Sequence, residues 1–273
     1  MNGIVIGQYL PGQSFWHRLD PRAKIVATSL FVVASFLIDS WLFMGLLIVA
    51  ELVAMTLTKI PLNYFMRSLK PVFFFVILTF ILQIIFNRQG QVIFSLGPIE
   101  IYDEGLNLGF FMSIRLIIVV LISTLLTLTT KPSDLTLALE SLFKPLKKVG
   151  FPVSELALMI SIALRFIPFL LEETDKIMKA QMARGADFDS GGLIQKAKNM
   201  IPLLVPLFIS AFRRANDLAM AMEARGYHGG EGRTKMKPLV YQKRDHLAYL
   251  TFVLYLVAMF IVNRIGFFEG LIR

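Results

Sequence analysis

Arginine occurs twice in this chain in the same setting. "KAQMARGADFD" covers 179–189 and "LAMAMEARGYHGG" covers 218–230. Each holds Ala-Arg-Gly, as Ala183, Arg184, Gly185 and as Ala224, Arg225, Gly226, 41 positions apart. Each follows a run rich in Met and Ala that reads as helix, and a Gly-Gly pair comes within seven residues. A guanidinium is a planar fork of five donors that matches a carboxylate. At a helix C-terminus it also lies at the negative end of the dipole. The glycine takes a left-handed conformation cheaply and lets another backbone come close, and the alanine keeps the tip narrow. The chemistry is recognition of acidic groups, offered twice. One such end is accounted for by a solvated cap; two in matching contexts suit a partner with two similar subunits.

Other polar residues invite chemistry less strongly. Glu51 and Arg115 fall inside apolar segments, about ten and eight residues from the same membrane face, so their depths differ by only ~3 Å at the helical rise. A charge within the membrane is a functional candidate by default, and a structural Glu51–Arg115 ion pair is the first reading. "LEETDK" (171–176) is explained by pairing of Asp175 with Lys179 four residues on, with no accompanying His or second acidic cluster to hold a metal. "FRRAND" (212–217) suits lipid phosphate or pairing of its arginines with Asp217. His17, Arg18, Asp20 and Arg22 form a polar box in which Asp20-Pro21 starts a helix. Its favoured role is a structural lead-in to the membrane.

Catalytic chemistry finds no support. Cysteine is absent, which excludes thiol catalysis and disulfides. The three histidines, His17, His228 and His246, have no metal-ligand spacing. There is no GxxxxGK[ST], HExxH or GxSxG and no paired Asp-rich motif, so no cofactor, metal or nucleotide is expected on the chain itself. Basic stretches lack interleaved aromatics, which argues against nucleic acid.

The elements that place these residues belong to a membrane protein. The chain has 273 residues, 24 of them Phe, and only 17% are charged; its mean hydropathy is +0.66. A soluble domain carries roughly 25% charge. No cleavable leader precedes the first apolar segment. Candidate spans of about 20 residues lie at 24–38, 41–58, 71–87, 106–130 and 247–263, the first two forming a hairpin about Asp39-Ser40. Lys and Arg collect before the first span, between the second and third, and in the segment 131–246, which has 18 of them against 12 acidic residues. The rule that basic loops stay inside puts the amino terminus and 131–246 in the cytoplasm and the carboxyl terminus outside.

The chain therefore divides into 1–130 with four spans, a cytoplasmic helical segment 131–246, and 247–273 with the last span. Within the middle segment a short helix covers 131–150. Two long ones cover about 154–185 and 192–226, each of the order of 50 Å, the second bent at Pro202 and Pro206. Met159, Ile162, Phe166 and Phe169 on the first, and Leu203, Leu204, Leu207 and Phe208 on the second, make an apolar surface able to repack against several partners. Ordinary helix packing claims part of that set. The fold class is an all-α integral membrane protein with about five transmembrane helices and an insert of one short and two long helices.

The whole chain resembles the transmembrane T components of energy-coupling factor importers. The likeness is carried by "HRLDPRAKI" (17–25), the hydrophobic layout, the long helical insert and both Ala-Arg-Gly ends. The resemblance implies that the two long helices are crossed coupling helices whose Arg184 and Arg225 ends dock onto two ABC-type ATPase subunits. It also implies that the apolar faces hold a small membrane S component, which binds a vitamin or metal ion. ATP and Mg would sit on the ATPases, in the plasma membrane complex of a prokaryote. The rival readings are an ABC permease that binds substrate itself and a membrane enzyme acting on lipid. The first needs a polar membrane cavity and the second a cluster of catalytic His or Asp at the interface.

Overall fold

The computed structural model describes residues 9–96, 99–188, 190–229, 239–246, 249–250, 253–255 and 257. Its elements are α1 (Phe15–Arg18), α2 (Pro21–Leu37), α3 (Trp41–Thr58), α4 (Leu62–Phe86), β1 (Val92–Leu96), β2 (Ile99–Tyr102), α5 (Asp103–Thr129), α6 (Pro132–Phe143), a 3-10 helix at Lys144–Val149, α7 (Val153–Ala183), α8 (Leu193–Asn199) and α9 (Ile201–Ala224). It is an all-α membrane protein apart from one small hairpin. Among the described residues four helices are long and apolar enough to cross a membrane: α3, α4, α5 and α7. The set differs from the sequence expectation at two places. Helix α2 has 17 residues, about 26 Å, at the short end of the spanning range. Helix α7 reaches spanning composition because Val153–Leu171 holds only Glu155 and Arg165. The expected last span, 247–263, lies largely outside the described residues.

The described chain forms two compact units, divided within α6. One runs to Ala138 and resumes at Leu239; the other begins at Leu139. These compact units do not coincide with the expected divisions at 131 and 246, and the polar box shows what ties Leu239 into the first unit. Asp20 caps α2, its carboxylate accepting from the Arg22 backbone N–H at 2.8 Å, with Pro21 in the first position. The Arg22 guanidinium pairs with Asp20 at 3.0 Å, donates to the Leu239 carbonyl at 3.0 Å and stacks over the Tyr241 ring at 3.9 Å. The Asp20 carboxylate accounts for the raised Arg22 pKa. Lys24, buried, donates to the Thr129 carbonyl and the Thr130 hydroxyl at the end of α5.

Helix α5 is the hub of this unit, packing on α2, α3 and α4. One core gathers Phe31, Phe43, Met44, Leu47, Phe111, Ile118 and Ile122; a second gathers Ala54, Met55, Phe65, Leu125 and Leu128. Lipid is as apolar as these side chains, so close packing rather than water exclusion must hold membrane helices together. Helix α5 achieves it against α4 with Gly105 and Gly109, spaced as in GxxxG. A Cβ on Gly105 would meet the Asn87 and Gln83 carbonyls at 3.0 and 3.3 Å, and one on Gly109 would meet the Phe80 ring at 3.0 Å.

Helix α4 begins nine residues before the expected span at 71, so Arg67 and Lys70 are helical rather than in a loop, and Pro71 stands inside the helix. The stretch expected as a loop between the third and fourth spans holds the antiparallel pair β1–β2. Val-Ile-Phe and Ile-Glu-Ile-Tyr about a Gly-Pro were the available strand signal.

In the second unit α9 returns along α7. Gln181 donates to the Pro202 carbonyl at 3.2 Å, Arg214 lies 3.3 Å over the Phe169 ring, and Ile162 shares a groove with Met222. These pairs have nearly constant index sums, as an antiparallel arrangement requires. The bend expected at Pro202 is a break just before it, between α8 and α9, at Met200. Proline lacks the N–H that would continue the ladder and crowds the carbonyl four residues back.

Candidate docking site

The two Ala-Arg-Gly ends have the same backbone. Arg184 closes α7 at φ −91°, ψ 7°, and Arg225 closes α9 at φ −90°, ψ 10°. The glycines that follow are left-handed, at φ +87° and +74°. Gly185 N–H donates to Met182 and Ala186 N–H to Gln181; Gly226 N–H donates to Glu223 and Tyr227 N–H to Met222. Both ends are Schellman caps, which satisfy the last carbonyls and turn the chain sharply. A Cβ on either glycine would meet nothing within 4 Å, so glycine is required by backbone conformation and not by packing. All six residues are exposed, and among the described residues neither guanidinium has an ion pair or hydrogen bond. The ends are separated along α7 by the run from about Ile162 to Arg184, roughly 30 Å at the helical rise.

Their surroundings differ. Arg225, Gly226, Tyr227 and His228 line a groove of about 730 Å³ with Ser161, Ile162, Arg165 and Phe166 of α7. The other end turns into Asp187, whose carboxylate accepts from Ser190 N–H at 3.3 Å and whose carbonyl accepts from Asn199 at 2.7 Å. Sequence reasoning missed Arg165. Its signal was present in the helical spacing that puts it one turn from Ser161 and Ile162.

The apolar candidates separate into two groups. Leu203 is buried, Phe169 carries Arg214, and Ile162 and Phe166 line the Arg225 groove. Leu207 is half-buried. Met159, Leu204 and Phe208 are exposed, with Phe208 stacked on Phe212 at 6.2 Å. Arg214 therefore spends its charge on an aromatic face rather than on Asp217.

Three expected pairings are corrected. Glu51 and Arg115 form no ion pair: Arg115 is buried, donates to the Ile38 carbonyl that ends α2, and lies 3.5 Å from Asp39. Glu51 is buried with Oε1 lacking a hydrogen bond. Similar depth did not bring the two together, because depth says nothing about which way a helix face points. Asp175 and Lys179 make no ion pair either, and Arg213 and Arg214 make none with Asp217; all five are exposed, with Arg214 over the Phe169 ring.

Comparison with known proteins gives the family. A family profile described as "Cobalt transport protein" (CbiQ) matches residues 12–236. The chain is 48% identical over 263 residues, 96% of this chain and 99% of the relative, to the energy-coupling factor transporter transmembrane protein EcfT of Bacillus subtilis. It is 54% identical to the EcfT protein of Thermosediminibacter oceani over 92% of this chain and 94% of that one. The corresponding figures for the Lactococcus lactis EcfT protein are 44%, 97% and 100%.

Proposed function

The chain belongs to the CbiQ cobalt transport protein family, and from that premise we propose that it is the transmembrane scaffold of an energy-coupling factor importer. In this reading two ABC-type ATPase subunits dock on the Arg184 and Arg225 ends, and binding and hydrolysis of ATP with Mg on those subunits moves them. Helices α7 and α9 transmit the movement to a small membrane S component that carries a vitamin or other micronutrient. The chain is non-catalytic alone, lies in a bacterial plasma membrane, and has its amino terminus and docking ends on the cytoplasmic side. Met159, Leu204 and Phe208 are among the exposed apolar residues of α7 and α9 available to the S component.

One observation carries the reading: two exposed, unpaired arginines sit on the same cap, roughly 30 Å apart along an antiparallel helix pair. A solvated helix end needs no such duplication. A permease that binds its own substrate would need a polar cavity between membrane helices, whereas the groove described above lies at the Arg225 end.

The test is retention of the ATPase subunits during detergent purification of wild type, Arg184→Glu, Arg225→Glu and the double variant. Reversed charge sets like against like at the acidic partner groups. Each single change should weaken retention and the double should nearly abolish it. Equal retention by all four would leave these ends as helix caps and remove the docking reading.

A further inference from the structure

Strand β1 reads Val92-Ile-Phe-Ser-Leu, without a charge. Val92, Ile93 and Phe94 are 49%, 60% and 53% exposed. Three consecutive apolar residues in a strand cover both of its faces, because side chains alternate. An ordinary water-facing hairpin would alternate polar residues on one side. The register passes from Val92↔Tyr102 to Phe94↔Ile101, so Ile93 is the extra residue of a bulge and is turned outward. Strand β2 lies against α4 and α5, and among the described residues β1 is the edge away from them.

The level of the hairpin is set by its neighbours. Trp41, at the start of α3, donates from Nε1 to the Asn107 side chain at 2.7 Å and meets the Phe111 ring edge-on at 5.2 Å. Tryptophan of this kind marks the boundary between acyl chains and headgroups. Asn107 is only five residues, about 7.5 Å, from the end of β2. On the other flank the exposed face of α4 runs Ile81, Leu82, Ile85, Phe86, the last 77% exposed, and reaches the hairpin through five residues. Those five residues, Asn87 to Gln91, are polar or glycine, so the apolar end of α4 and the apolar β1 flank a short polar link. Arg88, Glu100, Asp103 and Glu104 gather at the hairpin's base and on β2.

We propose that the β1–β2 hairpin is a lipid-interface anchor: Val92, Ile93 and Phe94 enter the acyl boundary of the leaflet at the α4–α5 turn. The β1 backbone edge then faces headgroups and water. An open strand edge is not tolerated in hydrocarbon, so the hairpin lies in the plane of the interface and not across it. The device fixes the depth of the α4–α5 pair at one membrane face.

The absence of cysteine allows single nitroxide labels on the full chain in phosphatidylcholine–phosphatidylglycerol vesicles. Ile93→Cys and Phe94→Cys are compared with Phe74→Cys, exposed in the middle of α4, and Gln89→Cys, exposed beside the hairpin. Power saturation against oxygen and a water-soluble nickel chelate should show oxygen dominating at 93 and 94, with a depth between the two references. Nickel access matching Gln89 would put the hairpin in water. Suppression of both reagents would mean that protein covers it. Either result overturns the anchor. Phe94→Trp preserves the aromatic side chain and gives a second reading: brominated acyl chains should quench emission beyond the quenching of Trp16 and Trp41 in wild type, and unchanged quenching would oppose the proposal.

Discussion

The Asp245 carboxylate accepts a hydrogen bond from the backbone N–H of Asp20 at 2.8 Å, tying together residues 225 positions apart. Its other oxygen accepts from Gln242 N–H at 2.8 Å, and the side chain is buried. One carboxylate thus holds the start of α2 and the segment approaching the last apolar stretch in a single clasp.

Replacing Asp245 by Ala should strand two backbone donors, at a cost of about 1–3 kcal/mol for each group left buried. Asp245→Asn keeps one carbonyl oxygen and should lose less. The midpoint of heat-induced loss of the monodisperse peak in detergent should fall in the order wild type, Asn, Ala. Equal midpoints for wild type and Ala would show that the clasp contributes nothing to stability.

The glycines of α5 give a graded prediction. Alanine at Gly105 meets backbone oxygens of α4, which cannot turn away, whereas alanine at Gly109 meets the rotatable Phe80 ring. Overpacking of this kind costs ~1–3 kcal/mol, so Gly105→Ala should destabilise more than Gly109→Ala. Gly45→Ala meets nothing within 4 Å and should gain up to about 1 kcal/mol from helix propensity. The same thermal measurement ranks the three, and any other order would contradict the packing described for α4 and α5.

His17 supplies the pH dependence. Its Nε2–H donates to the Leu10 carbonyl at 3.0 Å, which leaves Nδ1 to accept from the Ser14 hydroxyl at 2.6 Å. Burial, with a smaller contribution from Lys24, holds its pKa below the ordinary 6.5, against the opposing Leu10 hydrogen bond. The folded state therefore binds this proton less readily than the unfolded one. His17 costs no stability above the ordinary value and destabilises progressively as pH falls through it. His17→Gln should flatten the stability profile between about pH 7 and 5; an unchanged slope would assign the acid sensitivity elsewhere.

Local signals were legible in the sequence, and long-range partners were not. The glycines after Arg184 and Arg225 announced left-handed caps because a helix end is decided by its own last turn. Asp20-Pro21 announced the start of α2 for the same reason. Counting residues from a membrane face placed Glu51 and Arg115 at similar depth, yet it could not tell which way either points, and Arg115 turned to Ile38 and Asp39. The Asp20–Asp245 bond lies beyond any local pattern. The hairpin was easily read as loop because two strands of five and four residues are too short to show a period, and the polar stretches beside them look like turns.

Arg165 tests whether the two docking ends are equivalent. It shares the groove of Arg225 and His228, so that end offers two guanidiniums and an imidazole, while the Arg184 end is followed by Asp187. An acidic partner on the Arg225 side should therefore feel Arg165→Glu, with retention falling on the order of tenfold, about 1.4 kcal/mol. Coupling decides the location. If Arg165 serves the Arg225 dock, Arg165→Glu combined with Arg225→Glu should hold the ATPases little worse than Arg225→Glu alone. Combined with Arg184→Glu it should remove nearly all binding. The losses should shrink at high salt, since exposed charges are screened beyond about 10 Å at 0.1 M. Full additivity with Arg225→Glu would separate Arg165 from that dock and return it to the solvated face of α7.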